Sequence, residues 1–253
     1  MLTSCVGVHR QVIFALFTLT VMLAGCSGAV QEVQPFIYGE IPWSDGEVSL
    51  YEITDVNGDY AGTARYDLIK GGPAVGPDGW TFRREIVAHG DNEIVVVEVT
   101  DKGLRPKNAM LVRTNDDGTE RVETTYDQSQ VDMKLTTVRD VTTYQRSTIP
   151  SDARDQRTIL TLARLLPLEN GYATRFNSYL PVADLLDRVT LQVVKREQID
   201  VPAGTFDTWR VRLDVGDSRT DAWLGAEAPY PLVKFEDGRS GGTFELMEFQ
   251  ADQ

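Results

Sequence analysis

From Phe36 onward the chain alternates apolar and polar residues with a period of two, segment after segment. No other feature limits its fold so strongly. Successive side chains of a strand point to opposite faces, so such alternation marks a sheet with one dry and one wet face. In "EVSLYEIT" (47–54), Val48 and Leu50 share one face. "YAGTARYDL" (60–68) puts Tyr60, Ala64, Tyr66 and Leu68 together. "WTFRREIV" (80–87) aligns Trp80, Phe82 and Ile86, with Thr81, Arg83 and Glu85 facing away. "QVDMKLTT" (130–137) aligns Val131, Met133 and Leu135, and "DRVTLQVV" (187–194) aligns Val189, Leu191 and Val193. "EIVVVEV" (93–99) is apolar on both faces, which suggests a strand covered on its second side. Turn signals fall between the strands at Asn57-Gly58, Asp78-Gly79, Gly90-Asp91, Asp117-Gly118, Gly216-Asp217 and Asp237-Gly238.

One segment breaks the rhythm. "SDARDQRTILTLARLLPL" (151–168) has Ser151 or Asp152 as a candidate N-cap and Ile159, Leu162, Ala163 and Leu166 at helical spacing, with Pro167 to end it. The pattern predicts a single amphipathic helix of about four turns. One helix among a dozen or so strands, with no second zone of composition, implies one mainly β domain over residues 36–253. Its expected form is a large curved antiparallel sheet, a half-barrel, with the helix packed on its concave face.

The first 35 residues are of another kind. Arg10 is followed by a 12-residue apolar run, Val12 to Leu23, too short for a permanent membrane span and right for a secretory signal. The run ends in Leu23-Ala24-Gly25-Cys26, which resembles the lipobox of bacterial lipoproteins. The resemblance implies cleavage between Gly25 and Cys26, removal of residues 1–25, and acylation of the Cys26 thiol. The plainer alternative is an ordinary cleaved signal with a coincidental cysteine. Two or three acyl chains, at about 0.8 kcal/mol per buried CH₂, hold a protein stably on a membrane. Residues 26–35 would then be the lipidated cysteine and a flexible tether. Ser27, not Asp, follows Cys26, a pattern that in enteric-type lipoproteins implies the outer membrane, facing the periplasm.

Residues 1–25 hold Arg10 and no acidic residue, so their removal leaves 24 basic and 38 acidic residues and a net charge of −14. Such a surface argues against nucleic acid as a partner. Cys5 leaves with the signal and Cys26 is acylated, so no thiol remains for a disulfide. His89 is the one histidine left, which excludes Cys/His zinc arrangements and two-histidine metal sites. It reads as a turn residue. Ser240 in "GRSGG" (238–242) has the outline of a protease nucleophile without its histidine context, and a hairpin loop is needed there anyway. "DVNGD" (55–59) starts like a calcium loop but has Tyr60 and Tyr66 at the positions of the required Gly and Glu; Asn57-Gly58 reads as a type I′ turn. "GGPAVGPDG" (71–79) leads into no helix and is a connection rather than a phosphate cradle. Asp200, Asp207, Asp214 and Asp221 are no more clustered than 38 acidic residues produce by chance. No catalytic set, metal site or cofactor is expected.

The aromatic residues are the better lead. Trp43, Trp80, Trp209 and Trp223, with Phe82, Phe206, Tyr230 and Phe235, are either ordinary core or the lining of an apolar cavity between sheet and helix. The candidates chosen as cavity lining are Trp80, Phe82, Phe206, Trp209 and Trp223. In "QIDVPAGTFDTWRV" (198–211), Pro202 suits a strand end and Gly204 a tight turn, while Phe206 falls out of step with Trp209, which suggests a bulge or a longer turn.

From about Asp155 to Phe249 the chain resembles an uncharacterised family of bacterial envelope proteins, a domain of unknown function. The resemblance rests on Val201-Pro202-Ala203-Gly204-Thr205-Phe206, "DTWRVRL" (207–213), "DAWLG" (221–225) and "PLVKFE" (231–236). That family is similar in fold to the periplasmic lipoprotein-sorting carriers, whose half-barrels hold acyl chains beneath a helical lid. The resemblance implies a half-barrel and carries over no catalytic residue. Taken with the helix over a one-sided sheet, the aromatic residues and the lipobox, it leads to the expectation of a lipid-anchored, non-enzymatic protein that binds a hydrophobic ligand or lipid moiety. The alternative is an envelope scaffold with a filled core and a protein-binding surface.

Overall fold

The computed structural model describes residues 33–36 and 39–251; the signal, the lipobox and Cys26 lie outside the described residues. The strands are β1 (Gln34–Pro35), β2 (Glu47–Thr54), β3 (Tyr60–Gly72), β4 (Gly76–Ala88), β5 (Asp91–Val99), β6 (Pro106–Asn115), β7 (Gly118–Asp127), β8 (Gln130–Thr136), β9 (Thr142–Thr148), β10 (Arg154–Asp155), β11 (Ala173–Leu180), β12 (Leu185–Val201), β13 (Gly204–Val215), β14 (Ser218–Gly225), β15 (Leu232–Glu236) and β16 (Thr243–Gln250). They form one open, curved sheet in the order β1-β11-β12-β13-β14-β15-β16-β2-β3-β4-β5-β6-β7-β8-β9, with β10 also against β11. Among the described strands every pairing is antiparallel except those of β1 and β10 with β11. The two halves of the meander join where β16 meets β2, and the free seam lies between β9 and β11. Side chains bridge that seam: Ser147 Oγ donates to Asp184 Oδ1 at 2.6 Å, and Tyr126 OH to Asp155 Oδ2 at 2.7 Å.

A short helical segment packs on the concave side. It comprises a 3₁₀ turn at Gln156–Thr158, one α turn, α1 (Ile159–Leu162), and a second 3₁₀ turn at Ala163–Leu165. The four-turn helix expected over 151–168 is thus shortened. Arg154 and Asp155 are spent pairing with Ser178 and Tyr179 of β11. Asp155, rather than Ser151 or Asp152, is the N-cap, accepting from Arg157 N at 3.0 Å. Leu166, before Pro167, is extended, as the proline ring requires. The segment stands between two apolar clusters. Leu162 and Leu165 join Trp43, Trp80 and Phe82; Ile159, Ala163 and Leu166 join Val189, Leu191, Val193 and Val211.

The alternation places most strands correctly: Val131 and Met133, and Val189, Leu191 and Val193, are buried. Four local readings change. In β2 the core face is Glu47, Ser49, Tyr51 and Ile53, while Val48 and Leu50 face outward, half-buried. The helical segment brings Arg164 to Glu47, and Tyr51 OH donates to Leu232 O, so polar groups on the inward face find partners. In β3, Ile53 pairs with Gly62 and Thr54 with Tyr60, leaving Ala61 as the extra residue of a bulge; Tyr60 turns out to solvent. Asn57-Gly58 is not a two-residue turn but part of an Asp55–Asp59 loop, with Asp55 Oδ1 accepting from Asn57 N and Asp59 N. The β3–β4 turn is Pro73–Val75 rather than Asp78-Gly79; Gly79 lies inside β4, where a Cβ would meet Val75 at 2.4 Å. That hairpin folds over the outer face of β5, where Glu98 accepts from Ala74 N at 3.0 Å, which covers the second face as "EIVVVEV" suggested.

The hairpin at 198–211 is simpler than expected. Pro202-Ala203 is a two-residue turn between the paired Val201 and Gly204, and Gly204 has φ 126°. No extra residue occurs at Phe206; the register shift lies in β12, between Val193 and Lys195.

Candidate functional site

Strand ends sort the loops onto two rims. One rim carries the loops after β2, β4, β13 and β15; the other carries the β3–β4 hairpin, the 202–203 turn and the 226–231 connection. The second rim is filled. Trp43 packs edge-on to Trp80 and Phe82, with ring centroids 6.0 and 5.7 Å apart. Beside them Arg164 gives Nη1 and Nη2 to Glu47 at 2.6 and 3.0 Å, and Nη2 to Pro229 O at 2.7 Å.

The first rim opens into a cavity of 620 Å³, within the range of about 300–1,000 Å³ typical of ligand sites. Its wall is apolar over much of its extent: Ile53, Ile86, Leu111, Ile159, Leu213 and Phe244 come from β2, β4, β6, α1, β13 and β16. Its polar side is built by three neighbouring strands. Arg84 of β4 and Arg113 of β6 each give Nη2 to Glu93 of β5, at 2.6 and 2.7 Å. The helical segment adds Arg157, which holds the fully buried Asp155 through Nε at 2.8 Å and Nη2 at 2.5 Å. Arg157 Nη1 and Arg84 Nε make no hydrogen bond.

Electrostatics follow from this packing. Burial would raise the Glu93 carboxyl, but the guanidiniums of Arg84 and Arg113 outweigh it and hold it below the ordinary value. Burial works against the charges of Arg84 and Arg157 too. Tyr66 and Glu93 beside the first, and Asp155 beside the second, outweigh it and keep both firmly protonated. Burial and the adjacent Asp155 push the Tyr126 phenol well above its ordinary value. Glu120 lies 3.9 Å from Arg113 as well, so the three guanidiniums face three carboxylates and the polar side is balanced in charge.

At the mouth stand Asp55, His89, Asp237, Arg239 and Ser240. His89 is in a left-handed turn, φ 53°, beside Gly90. Ser240 Oγ donates to Asp237 Oδ2 at 2.6 Å and accepts from Gly242 N at 3.2 Å, so its hydroxyl serves the loop and does not bond His89. Asp55 likewise serves its own loop, and the backbone amides of Asp59 and Asn57 hold it below the ordinary carboxylate value.

The aromatic residues expected as cavity lining lie elsewhere. Trp80 and Phe82 belong to the filled cluster with Trp43. Phe206 and Trp209 pack partly buried against the other cluster. Trp223 donates Nε1 to Glu197 at 3.0 Å and lies under Arg210 and Lys234. None of the five lines the 620 Å³ cavity; of the wider aromatic set Phe235 does, with Tyr66 and Phe244. The charged wall had a signal in the sequence. Arg84 shares parity with Phe82 and Ile86, Glu93 with Val95 and Val97, and Arg113 with Leu111, so all three are charges on core-facing positions.

A family model for proteins of unknown function, DUF3108, matches residues 51–247. The chain belongs to the DUF3108 family. No curated protein matches it in a whole-sequence comparison. Among solved structures, the fold is similar to a β-barrel-like protein of the DUF1849 domain of unknown function from Brucella abortus, with TM-score 0.54 and 12% identity over 83% of this chain and 99% of that one. A Bacteroides fragilis protein described as exported and YmcC-like in fold matches at TM-score 0.32 and 10% identity, over 85% of this chain and 100% of that one. A Parabacteroides distasonis protein described as a lipoprotein matches at TM-score 0.31 and 14% identity, over 87% and 100%. The first of these shows that the DUF3108 chain shares a β-barrel-like fold; the other two add nothing to that conclusion.

Proposed function

We propose that this DUF3108 protein is a non-enzymatic binding protein of the cell envelope, anchored through acylated Cys26, that holds an apolar ligand or lipid moiety in its half-barrel. The 620 Å³ cavity between the helical segment and the concave face carries this reading, because its wall is largely apolar and open at one rim. Val56, Val182, Leu185 and Leu186 stand exposed at that same rim, a suitable approach for a ligand leaving a bilayer. The lipobox resemblance supports the anchor and the envelope location, and Ser27 supports the outer membrane.

Native mass spectrometry of detergent-free protein, with displacement of a fluorescent fatty acid, tests the binding. A retained lipid and a saturable displacement are expected; neither a bound lipid nor displacement would overturn it. Cys26→Ala should release the protein from membranes, and unchanged membrane fractionation would contradict the anchor. The scaffold reading finds its own support in β9, a free edge strand with Tyr144 exposed, which could add a partner's strand. In-cell cross-linking through β9 to one defined protein, with an empty cavity in mass spectrometry, would favour that reading.

A further inference from the structure

We propose that a second copy of this chain adds its β9 to the free β9 edge, antiparallel and about a two-fold axis at Gln145, so that the sheets of two protomers become continuous. The surface lies away from the cavity and stands apart from the binding reading. Three observations carry it. The first is the edge itself. At the other end of the sheet, β11 has its outer side covered by β1 at Thr174 and Arg175 and by β10 at Ser178 and Tyr179. Among the described residues, β9 bonds through its backbone to β8 alone. It pairs with β8 from Thr142 to Thr148 without a register shift, and Thr142 to Arg146 are exposed. Natural edges are blunted by proline, lysine, a bulge or a covering segment, because bare N–H and C=O groups template another strand. Thr-Thr-Tyr-Gln-Arg-Ser-Thr has none of these.

The second is self-complementarity. About Gln145, Tyr144 mirrors Arg146, Thr143 mirrors Ser147 and Thr142 mirrors Thr148. Opposed residues of antiparallel strands share a face, so the axis sets Tyr144 against Arg146 of the second copy, twice. Within the protomer Tyr144 stands opposite Lys134, and Arg146 opposite Asp132, to which it donates Nε at 2.5 Å. Each joined row therefore runs Lys134, Tyr144, then Arg146 and Asp132 of the second copy. Every tyrosine lies between two cations, every arginine between a ring and a carboxylate, and no like charges are opposed. An axis at Arg146 would set two arginines face to face, and one at Tyr144 would leave Arg146 against threonine. The third is exposure. Tyr144 is 76% and Val141 56% exposed, and this register covers both, with Arg146 and Ile149 of the second copy. Ser147 and Gln145 reach Asp184 with their side chains, so the seam leaves the backbone edge of β9 free.

The test probes register as well as mass. In membranes of cells expressing the full-length chain, Gln145→Cys should give a disulfide-linked homodimer on mild oxidation that wild type does not. Opposed residues at the axis have Cα atoms about 4.5–5.5 Å apart, within reach of a disulfide. Thr142→Cys and Thr148→Cys should each stay unlinked alone and join when two differently tagged copies are expressed together. Sedimentation of the purified full-length protein should show a dimer. Tyr144→Lys opposes two pairs of like charges and should weaken that dimer about tenfold. Tyr144→Glu, set against Arg146 of the second copy, should keep it. Tyr144 is exposed, so both variants should fold, which circular dichroism checks. A monomer throughout the concentration series, no Gln145→Cys dimer, linkage by Thr142→Cys alone, or equal weakening by the two Tyr144 variants would overturn the proposal. So would a photo-crosslinker at Tyr144 that captures the tether of its own chain or a different protein, the latter in favour of the scaffold reading. Fatty-acid displacement should match wild type in every variant, so its failure would count against the binding reading alone.

Discussion

The two rims of the half-barrel use the same device to opposite ends. The helical segment sends Arg164 toward one rim and Arg157 toward the other, and each meets a buried carboxylate, Glu47 or Asp155. Around Arg164 the space is filled: both Nη nitrogens are bonded, Nε alone has no partner, and the guanidinium lies 5.4 Å from the Trp43 ring. Around Arg157, where Nη1 is likewise without a partner, a cavity of 620 Å³ adjoins the ion pair. A buried ion pair is therefore not in itself the sign of a site. Nor is an unpartnered nitrogen, since each arginine has one; the difference is the open volume beside Arg157, which leaves room for a ligand.

Substitutions can sharpen this contrast. The largest effect is expected at the filled rim. Arg164→Ala strands Glu47 in a dry core and should cost about 3–5 kcal/mol, measured by chemical denaturation. A loss below about 1 kcal/mol would mean that water reaches this rim too. Next come two leucines of the same α turn. Leu162, fully buried among the filled cluster, should lose about 2–5 kcal/mol on change to alanine, and Leu160, at the cavity wall, about 1 kcal/mol or less. Equal losses would contradict the difference in packing.

Adding volume reverses the direction of the comparison. Ala109→Leu overpacks the filled cluster and should destabilise by about 1–3 kcal/mol, whereas Ala88→Leu grows into the cavity at little cost. The same Ala88→Leu variant should weaken displacement of the fatty-acid probe, and unaltered displacement would place the ligand elsewhere.

The smallest effect is in acid. Arg84 and Arg113 hold the Glu93 carboxyl below its ordinary 4.5 against the opposing influence of burial. A carboxyl lowered by folding contributes stability that is fully present above the unfolded value and is lost as pH falls through the folded one. Wild type should therefore lose a stability margin over Glu93→Gln as pH drops below 4.5, visible as converging thermal midpoints. Parallel curves down to about pH 3 would show that the two arginines do not act on Glu93.

Much of the sheet was legible along the chain because period two is a local property. The strands around Val131, Val189 and Trp80 stand where alternation put them, and so does the turn at Pro202-Ala203. Register was less legible. One extra residue at Ala61 turns Tyr60 from the inner face to solvent, and no local pattern distinguishes a bulged strand from a regular one. The helix was overread because its first residues also suit pairing with β11, a contact between distant parts of the sheet. For the site, attention to the tryptophans led away from it, since Trp80, Phe82, Phe206 and Trp209 pack into the two clusters while Tyr66, Phe235 and Phe244 reach the cavity. The better signal was charge at core parity, at Arg84, Glu93 and Arg113.

The sequence by itself determined a one-sided β sheet, a helical interruption before Pro167, and which residues of most strands face inward. It determined this because side-chain direction follows from strand geometry alone. Tertiary structure decided what the inward charges meet. Glu93 lies between two arginines, Glu47 finds Arg164 across 117 residues, and Arg157 is left with an unused donor. These outcomes depend on how far the sheet curls and where the helical segment seats against it. Such long-range packing is written in no local pattern, and it is what left one rim closed and the other open.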